Sequence, residues 1–596
     1  MTTLQNFIYP NNPNFGSKEK YVRVEGSAYF QGDILNILKY SSVRFDTYYN
    51  AFSVPLWQQR VGIENVALEI AGQGSVEIEL WHMPKVRDNL KEYDENPIVN
   101  YKETVQLQLT EEPQSLFELN ILDTFEFNGL LFPVITALDE VEIHTLRWTT
   151  SDMPRRDVKL GISITHFNRK AYVIPAMRRI KENILDDPDW QGKIDFIVVD
   201  NSRNITTEEA MGVTIVPNEN TGGSGGFTRG LLHYKNDTDA THVLFMDDDA
   251  SLEVESIKRA YRILQYAEKE NSAVGAALFY EDRPDVFIER GARLDTRQVW
   301  WAKFRDAMAL SAQQVLRTET DKEPTEYAGW WFCAFPIKDA EKLTPPYFVR
   351  GDDVSFSVMN QFNLIFANGI ACIAEDFEYK VAPMTEYLNM RNKLIVHTLF
   401  INKPIFAARY FLSISRVFLL AVRHGYVAVL HQALKDYLNI TAAWMIENAD
   451  MQALMPKIKE LAKGNIPEEI DLDKEEIFYS DHTEEKRSAV IARWFTLNKM
   501  LLPLHDDKVV YQDFTMAPKY RQIAGFRRIL YVNPENKKGF VVTVKRGKVI
   551  RDTFQIAMDS LRLLVSYRGV RRRLMKEMDQ LTSEKMWLDI LDLNKK

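Results

Sequence analysis

The feature that most constrains the fold is a regular alternation of apolar strands and helical stretches in the middle of the chain. Four short, β-prone segments follow one another, namely KLGISITHF, DFIVVDNS, GVTIVPNEN and THVLFMDDD. Helical patterns separate them, for example over residues 171–184 and 226–234. Because strands joined by helices usually run in the same direction, this alternation predicts a mostly parallel sheet with helices on both faces.

The regions on either side have different patterns. Before about residue 150, segments such as NVALEIAG and SVEIELWHM alternate polar and apolar residues, as half-buried antiparallel strands do. From about residue 385 onward, apolar residues recur at three- and four-residue spacing, which indicates helices. The 596 residues are therefore predicted to form a multidomain α+β protein, with a β-sandwich over 1–155, an α/β domain over 156–400 and a helical region over 401–596.

Composition excludes several classes of protein. A net charge of −9 argues against a general nucleic-acid binder. Two cysteines, Cys333 and Cys372, are too few for a disulfide framework or a zinc cluster and favour a reducing compartment. The N-terminus lacks the features of a secretory signal, and no apolar run reaches the length of a membrane span. We expect a cytoplasmic protein, soluble or attached peripherally to the inner face of the plasma membrane.

Three consecutive aspartates follow the fourth apolar strand. Open α/β sheets bind ligands at the carboxyl ends of their strands, where the segments SITHFNR, VVDNS and MDDD all carry polar groups. The D-x-D spacing lets Asp247 and Asp249 point the same way along an extended backbone. Carboxylates placed there can bind Mg²⁺ or Mn²⁺, which also bind diphosphates. An acidic loop that only faces solvent is the alternative.

A glycine-rich segment, Gly222 to Gly226, runs directly into a predicted helix. Glycines allow close approach of the backbone to a ligand, and a helix N-terminus favours an anion, to which Arg169 and Arg229 could add charge. The segment matches neither the dinucleotide fingerprint nor the Walker A loop, and a flexible turn is the alternative. Asp200, after the second strand, either binds a base or ribose or only caps the turn that follows.

Two pairs of residues further along are candidates for binding and catalysis. Trp330 and Trp331 are adjacent in YAGWWFCAFP, and neighbours on an extended backbone point to opposite sides. One of them is therefore expected to line a groove, where an aromatic face suits a sugar ring, and burial of both in a core or an interface is the alternative. Asp352 and Asp353 precede a predicted helix, where one could act as a general base toward a sugar hydroxyl and the other could bind the same substrate. A helix N-cap is the alternative role.

Taken together, the motifs THFNR, VDNS, NENTGGSGGFTRG, FMDDDA, WWFCAFP and RGDDVSFS resemble those of bacterial galactofuranosyltransferases of glycosyltransferase family 2, and the mycobacterial members most. The string FDTYYNAFSVPLW resembles the N-terminal β-sandwich of that family, so the similarity covers most of the chain and weakens beyond about residue 440. The resemblance implies a GT-A nucleotide-sugar domain, a UDP-galactofuranose donor and inversion at the anomeric carbon.

The resemblance also implies roles for the motif residues on the donor side. Phe167 and Arg169 would frame the uridine and the diphosphate. Asp247 and Asp249 would hold Mn²⁺ or Mg²⁺. The remaining contacts to the nucleotide would come from Asp200, Asn220, Gly222, Gly223 and Asp248.

On the acceptor side, the resemblance implies that Trp330 and Trp331 line the acceptor site. Asp353 would be the general base, and Asp352 would bind sugar hydroxyls beside it. The segment YLNMRN, residues 387–392, also fits the family through Tyr387, Arg391 and Asn392, with either an acceptor role or a packing role.

One position departs from the family pattern. The family usually has a histidine in a segment like W-H-E-D-F that completes the metal shell, whereas CIAEDFEYK places Ala374 at that position. Glu375, Asp376 or water would have to replace the histidine. Two alternatives to a galactofuranosyltransferase remain: the same machinery with a different UDP-sugar donor, or a non-catalytic glycan-binding protein with a degenerate metal site.

The C-terminal region carries a candidate partner surface. Residues 562–576, RLLVSYRGVRRRLMK, form a basic and amphipathic stretch. Acceptors in the family are lipid-linked glycans, so this stretch could rest on an anionic membrane surface. A solvated helix face or a contact between copies of the chain in a homo-oligomer is the alternative.

Overall fold

The computed structural model describes residues 1–85, 100–122, 128–376, 381–470, 477–479, 490–491, 493, 495–514, 518–533 and 537–593. Its N-terminal part is a sandwich of two antiparallel sheets, as the alternating segments predict. The strands are β1 (Thr2–Asn6), β2 (Arg23–Glu25), β3 (Ala28–Gln31), β4 (Ile34–Ile37), β5 (Ser42–Arg44), β6 (Phe52–Ser53), β7 (Asn65–Gln73), β8 (Ser75–Pro84), β9 (Asn100–Gln108), β10 (Gln114–Asn120), β11 (Gly129–Ala137) and β12 (Val141–Thr150).

Each sheet of the sandwich has six strands. One has the order β10-β7-β12-β4-β3 with β1 against β12, and the other has the order β2-β5-β11-β8-β9 with β6 against β11. In β8, Val76, Ile78 and Leu80 are fully buried, and the residues between them are half-exposed. Alternate side chains of a strand face opposite sides of its sheet, so the alternation in the sequence forms the inner face of the sandwich.

The central part is an α/β domain built on a nine-stranded sheet, with a separate hairpin of β20 and β21. Its strands are β13 (Leu160–His166), β14 (Ile194–Asp200), β15 (Thr214–Pro217), β16 (His242–Asp247), β17 (Ser251–Leu252), β18 (Ser272–Tyr280), β19 (Phe287–Glu289), β20 (Ala292–Asp295), β21 (Val299–Ala302), β22 (Phe332–Pro336) and β23 (Asn363–Ala374). Its helices are α1 (Lys170–Ile180), α2 (Thr207–Ala210), α3 (Gly222–Asp237), α4 (Glu255–Tyr266), α5 (Ala312–Glu319) and α6 (Asp352–Asn360).

The central sheet has the order β15-β14-β13-β16-β22-β18-β23-β17, with β19 beside β18. The four strands predicted from the alternation, β13 to β16, are parallel to one another, whereas β22 runs antiparallel between β16 and β18. Helices cover both faces. In β16, Val243 and Phe245 belong to the core that contains α3, and Leu244 and Met246 belong to the core that contains α1 and α4.

The sandwich is fixed to the central domain through α4. Arg259 is buried and donates hydrogen bonds to the backbone carbonyls of Tyr49 and Asn6, both at 2.6 Å. Glu255, one turn earlier, accepts hydrogen bonds from the backbone N–H of Asn6 at 2.8 Å and from its side-chain amide at 2.9 Å. Because each buried charge is paired with polar groups across the junction, α4 and the sandwich form one packed unit.

The C-terminal part is mainly helical, as predicted, but it also contains a five-stranded sheet that the sequence analysis missed. The helices are α7 (Pro383–Val396), α8 (Pro404–Leu420), α9 (His424–Leu438), α10 (Ala442–Glu447), α11 (Leu454–Leu461), α12 (Arg546–Leu581) and α13 (Glu584–Ile590). The strands are β24 (Glu468–Glu469), β25 (Ile477–Phe478), β26 (His505–Asp513), β27 (Phe526–Val532) and β28 (Lys538–Thr543). Charged residues interrupt these strands, as in FRRILYV, so their sequences show no clear alternation.

The long helix α12 packs against α8 and α9 and returns the chain to the central domain. Just beyond it, the indole N–H of Trp587 in α13 donates a 2.7 Å hydrogen bond to the carbonyl of Thr344. The backbone N–H of Leu343 donates a 3.0 Å bond to the carbonyl of Thr582. The C-terminal end of the chain therefore holds the segment that leads into α6. Within the described ranges, no helix combines the length and the apolar character that a membrane crossing requires.

Candidate active site

Three strand ends bring the sequence-predicted residues to one edge of the central sheet. In the parallel register, His166 at the end of β13 lies beside Asp200 of β14, and Thr165 lies beside Asp247 of β16. Polar groups that follow different strands in the sequence therefore share one crevice at the carboxyl ends of the strands.

The acidic triplet is held by neighbouring side chains and is not a loop that only faces solvent. Asp248 is buried, and its Oδ2 lies 3.3 Å from Nδ1 of His166. Arg169 contacts Oδ1 of Asp248 at 3.4 Å and forms a short ion pair with Asp249. Burial alone lowers the pKa of Arg169, but the carboxylates of Asp249 and Asp248 hold it above its ordinary value. Arg169 thus neutralises part of the negative charge of the triplet.

The triplet supplies some, but not all, of the oxygen ligands that a divalent cation needs. Among the described residues, no group of three histidine, cysteine, aspartate or glutamate side chains is placed to hold a metal ion. Asp247 and Asp249 supply two carboxylates, and Mg²⁺ is commonly bound by one or two carboxylates with substrate phosphates and water completing its shell. The residues therefore fit a cation that binds together with a diphosphate.

At the position where the family has a histidine, this chain has a buried alanine at the end of a strand. Ala374 ends β23, pairs with Tyr280 of β18 and is 8 % exposed. Its methyl group offers no ligand. Of the two replacements considered from the sequence, Glu375 is exposed, and Asp376 is buried with its Oδ1 3.8 Å from Arg305. The structure thus gives Asp376 a cationic neighbour.

Asp200 has a structural task in this crevice. Its Oδ1 accepts hydrogen bonds from the backbone N–H and the hydroxyl of Ser202, both at 2.9 Å. Its Oδ2 accepts bonds from the backbone N–H groups of Asn204 at 2.8 Å and Ile205 at 2.9 Å. Burial alone raises the pKa of Asp200, but these hydrogen bonds lower it below its ordinary value. The carboxylate shapes the turn after β14, which is the capping role considered above, and its contact with a nucleotide stays a prediction.

The two remaining donor-side residues lie on exposed or partly exposed turns. Phe167 is 46 % exposed, so its ring is open to a stacking partner. Asn220 is half-buried, and its side-chain oxygen accepts a 3.1 Å hydrogen bond from the backbone N–H of Gly222. A contact of either residue with a nucleotide stays a prediction.

The glycine-rich segment is the beginning of a helix, which corrects the expectation of a loop that precedes one. Helix α3 begins at Gly222, whose φ is +69°. A Cβ at Gly226 would lie 2.2 Å from Cγ2 of Thr165, and one at Gly230 would lie 1.9 Å from the hydroxyl of Ser163. The glycines therefore allow α3 to pack closely on β13. Gly223 differs, because it borders a cavity and a Cβ there would meet only ordinary contacts.

Asp352 and Asp353 form the first turn of α6, and Gly351, with a φ of +92°, occupies the N-cap position. The hydroxyl of Ser224 donates a 2.9 Å hydrogen bond to Oδ2 of Asp352. Burial raises the pKa of Asp352, and burial followed by repulsion from Asp352 raises the pKa of Asp353 to about 7. A carboxyl group with that pKa can accept a proton near neutral pH, as a general base must.

The segment before α6 has an unusual backbone that neighbouring helices hold in place. Phe348 and Arg350 both have positive φ, at 75° and 72°. Such conformations persist only where the surroundings impose them. On α7, Nη2 of Arg391 donates to the carbonyl of Tyr347 at 2.7 Å, and Nδ2 of Asn392 donates to the carbonyl of Val349 at 2.8 Å. These residues of the YLNMRN segment therefore position the turn that carries the two aspartates.

A cavity of about 780 Å³ joins the donor-side and acceptor-side candidates. Asp247 borders it from the end of β16, and Asp352 and Asp353 border it from α6. Trp330 and Trp331 also contribute to its wall. Asp247 of the triplet, the pair of aspartates and the pair of tryptophans therefore border one cavity, which is large enough for a sugar-containing ligand.

The two tryptophans point to opposite sides, as adjacent residues on an extended backbone do, yet both are more than nine-tenths buried. Trp330 packs among Phe227, Phe245 and Phe356 in the core that contains α3. Trp331 belongs to the other core, and its indole N–H donates to the carbonyl of Ala276 at 3.3 Å. Both tryptophans thus pack in the cores on the two faces of the sheet, as the alternative to a groove position predicts, although both also border the cavity. Their contact with an acceptor stays a prediction.

Glu289 is a fourth carboxyl group on this cavity, beside Asp247, Asp352 and Asp353, and the sequence analysis missed it. It ends β19 and is buried, and one of its carboxyl oxygens has no hydrogen-bond partner among the described residues. Burial, followed by repulsion from Asp353, raises the pKa of Glu289 to about 8. The sequence did contain a sign of this residue, because Glu289 ends the apolar run VFIE. Buried glutamates are uncommon unless the carboxyl group is paired or has a function.

Known proteins resemble the chain in its N-terminal part and over much of its length. A family model described as galactofuranosyltransferase 2, N-terminal, matches residues 21–151. The galactofuranosyltransferase GlfT2 of Mycolicibacterium smegmatis is 24 % identical over 430 residues, covering 67 % of this chain and 64 % of the relative. GlfT2 of Mycobacterium tuberculosis is 25 % identical over 433 residues, covering 67 % and 65 %. The chain thus spans slightly less than two thirds of the length of these relatives.

Solved structures give weaker likenesses. The mannosyltransferase PcManGT of Pyrobaculum calidifontis, in complex with GDP-Man and Mn²⁺, has a TM-score of 0.29 at 16 % identity, covering 53 % of this chain and 81 % of that one. GalNAc-T7 with UDP, GalNAc and Mn²⁺ has a TM-score of 0.33 at 10 % identity, covering 52 % and 60 %. Scores of this size add nothing to the interpretation of the site. The sequence matches carry the comparison, and they confirm the predicted resemblance of this chain to the GlfT2 galactofuranosyltransferases.

Proposed function

We propose that the protein is an inverting glycosyltransferase that transfers galactofuranose from UDP-galactofuranose to a glycan acceptor. The observation that carries this proposal is the shared cavity, in which a carboxyl group with a pKa of about 7, Asp353, faces the same space as Asp247 of the acidic triplet. A base and a candidate diphosphate site on one cavity are what transfer from a nucleotide sugar to a hydroxyl requires.

On the acceptor side, Asp353 accepts the proton of the attacking hydroxyl, and its pKa matches that task at neutral pH. Asp352, bonded to Ser224, and Glu289 surround the base with carboxyl groups that can bind sugar hydroxyls. Trp330 and Trp331 supply apolar wall to the same cavity. In this proposal, the base and the groups that orient an acceptor come from α6, from the end of β19 and from the two residues that precede β22.

On the donor side, Arg169 and the start of α3 supply positive potential to a leaving diphosphate. Asp247 and Asp249 would hold a divalent cation, which when bound neutralises negative charge on the diphosphate. Phe167, with its exposed ring, would stack on the uracil. Asn220 and Asp200 would order the turns beside the nucleotide, with Asp248 held between His166 and Arg169.

An anionic membrane surface is the proposed location of the acceptor. Between residues 545 and 576 the chain has ten lysines and arginines against two aspartates, although its overall charge is −9. On α12, Ile550, Phe554, Leu561 and Val565 form an exposed apolar stripe, with Phe554 68 % and Val565 75 % exposed. A basic helix with an exposed apolar stripe is typical of peripheral attachment to anionic lipids.

The proposed membrane surface differs from the stretch predicted from the sequence, residues 562–576, because it begins earlier on α12 and excludes two of the arginines. Arg573 donates hydrogen bonds to the carbonyls of Ile440 and Leu438, and Arg571 donates one to the carbonyl of Thr398. Both side chains are thus engaged in packing, whereas Arg568 and Arg572 are exposed. Sedimentation with anionic liposomes should weaken for Phe554→Asp and for Arg568→Glu with Arg572→Glu. Binding by these variants that equals the binding of the unaltered protein would exclude this surface.

Release of UDP tests the activity and the choice of donor. The purified protein is incubated with UDP-galactofuranose, UDP-galactopyranose or UDP-glucose, with Mn²⁺ or EDTA, and with or without a galactofuranosyl acceptor. Acceptor-stimulated, metal-dependent release from UDP-galactofuranose alone is expected. Release from another donor would keep the mechanism and reject the sugar. No release from any donor would favour a non-catalytic glycan-binding protein, for which Ala374→His is the first variant to examine.

A further inference from the structure

One wall of the cavity is formed by elements that carry none of the aspartates. The hairpin of β20 and β21 contributes Trp300 and Trp301, and α7 contributes Thr385, Asn389 and Lys393. The three residues of α7 are spaced by four positions and so lie on one face of that helix. Trp301 is 47 % exposed, which is unusual for so large an apolar ring unless it serves as a binding platform.

Lys393 carries a positive charge that lies against aromatic rings in this wall. Its ammonium lies 4.4 Å from the ring centre of Trp300 and 5.6 Å from that of Tyr410. Within the part of the chain that the structure describes, its ammonium donates no hydrogen bond to an oxygen. The aromatic faces attract the cation but do not accept hydrogen bonds as oxygen atoms do, so its N–H groups can donate to a ligand in the cavity. A half-buried ammonium in that state favours an oxygen-bearing ligand.

Arg350 and Glu386 are the charged groups that act on Lys393. Arg350 borders the same cavity. Burial, followed by repulsion from Arg350, lowers the pKa of Lys393 to about 8, so the amine is still mostly protonated at neutral pH. The nearby carboxyl group is that of Glu386, two turns earlier on α7, and burial raises its pKa. Arg350 interacts with the carboxyl groups of Asp352 and Asp353 as well as with that of Glu386, whereas Glu386 is the carboxyl group that acts on Lys393.

We propose that Trp300, Trp301 and Lys393 form a second acceptor subsite that selects glycans carrying an anionic group, a carboxylate or a phosphate, close to the sugar that receives the new residue. This inference rests on the proposed transferase function and adds the chemical class of the acceptor. The tryptophans contact the sugar rings, and the ammonium binds the anion through charge-assisted hydrogen bonds. Such a bond to a desolvated ammonium is stronger than a bond to a neutral hydroxyl, so it discriminates between charged and neutral acceptors.

The test compares matched acceptors on the full-length protein. A galactofuranosyl disaccharide that carries a uronic acid is compared with its methyl ester, which has the same shape and no charge, and with a phosphomonoester of the neutral disaccharide. Affinity is measured by titration calorimetry with UDP present, and KM and kcat are measured by UDP release. The protein should bind at least one of the two anionic acceptors about tenfold or more tightly than the methyl ester. The preferred anion identifies whether a carboxylate or a phosphate is the natural group.

Two variants of Lys393 test whether its ammonium causes the preference for anionic acceptors. Lys393→Met keeps most of the side-chain volume and should abolish the preference, raising KM for the anionic acceptor about tenfold while kcat and binding of the methyl ester change little. Lys393→Arg keeps the charge and should retain most of the preference. A variant that fails to fold would lose methyl-ester binding as well, so folding defects are recognised.

The two proposals fail in different ways. Equal affinity of the unaltered protein for the acids and the ester would overturn the subsite, whatever the donor experiments show. A preference that persists in Lys393→Met would overturn the assignment to this ammonium. Absence of UDP release from every donor would refute the proposed transferase, while the calorimetric comparison would still decide whether this wall selects anionic glycans.

Discussion

Replacing Asp353 by asparagine is expected to abolish transfer and, at the same time, to stabilise the folded protein above neutral pH. Burial and the neighbouring carboxylate of Asp352 raise the pKa of Asp353 from 3.8 to about 7. At 1.36 kcal/mol for each pKa unit, and with part of the effect shared with Asp352, the difference corresponds to about 2–4 kcal/mol. The ionised carboxylate destabilises the folded state by this amount.

The sign follows from the direction of the pKa change. A folded-state pKa that is raised gives stability that is complete below about pH 4 and is lost as the pH rises toward about 7. Asparagine stays neutral at every pH and so escapes that loss. The advantage of Asp353→Asn in the free energy of unfolding should therefore be near zero at pH 4 and reach about 2–4 kcal/mol at pH 8.

Urea denaturation at pH 4.5, 6, 7 and 8 measures the stability, and UDP release at the same pH values measures the activity. The control is Asp282→Asn, an exposed aspartate whose replacement should give no pH-dependent difference. In the unaltered protein, transfer should increase as the pH rises through about 7, since the base must be ionised. Transfer by Asp353→Asn should fall at least about 100-fold. A variant that is less stable at pH 8, or whose stability difference does not change with pH, would refute the reasoning.

Three further outcomes follow from the same structure. Asp249→Ala should weaken UDP binding in the presence of Mn²⁺, measured by calorimetry, and unchanged affinity would count against its metal role. Gly226→Ala places a methyl group 2.2 Å from Thr165 and should lower the free energy of unfolding by about 1–3 kcal/mol, whereas Gly569→Ala, in open space on α12, should be neutral or slightly stabilising. Arg573→Ala removes the donor to the last carbonyls of α9 and should cost about 1–3 kcal/mol in thermal unfolding, and a loss below 0.5 kcal/mol would contradict that packing role.

Local periodicity accounts for what the sequence predicted well. The period of two in SVEIELWHM, for example, is the burial pattern of β8. The apolar segments that end at His166, Asp200 and Asp247 are three parallel strands with their ends at one edge. Spacing was therefore sufficient for the sandwich, for the parallel half of the central sheet and for the location of the acidic triplet.

The sequence alone did not predict the features that depend on contacts between distant segments. Glycines in a row suggested a loop, but α3 already begins at Gly222, and Gly226 and Gly230 within it allow the close approach to β13. Likewise, β27 and β28 show no alternation because their neighbours, and not a period, determine which residues are buried.

For this chain, then, the sequence by itself determined the order of the layers and the strand end at which the aspartates lie, because both depend on patterns within a few residues. Only the tertiary structure decided which carboxyl groups share a cavity. Asp353 and Glu289 are 64 positions apart in the sequence. Burial and the neighbouring Asp352 raise the pKa of Asp353, and burial and Asp353 raise the pKa of Glu289. Burial and distance are properties of the packed protein, so the pKa values on which the proposed chemistry depends arise only when the segments have come together.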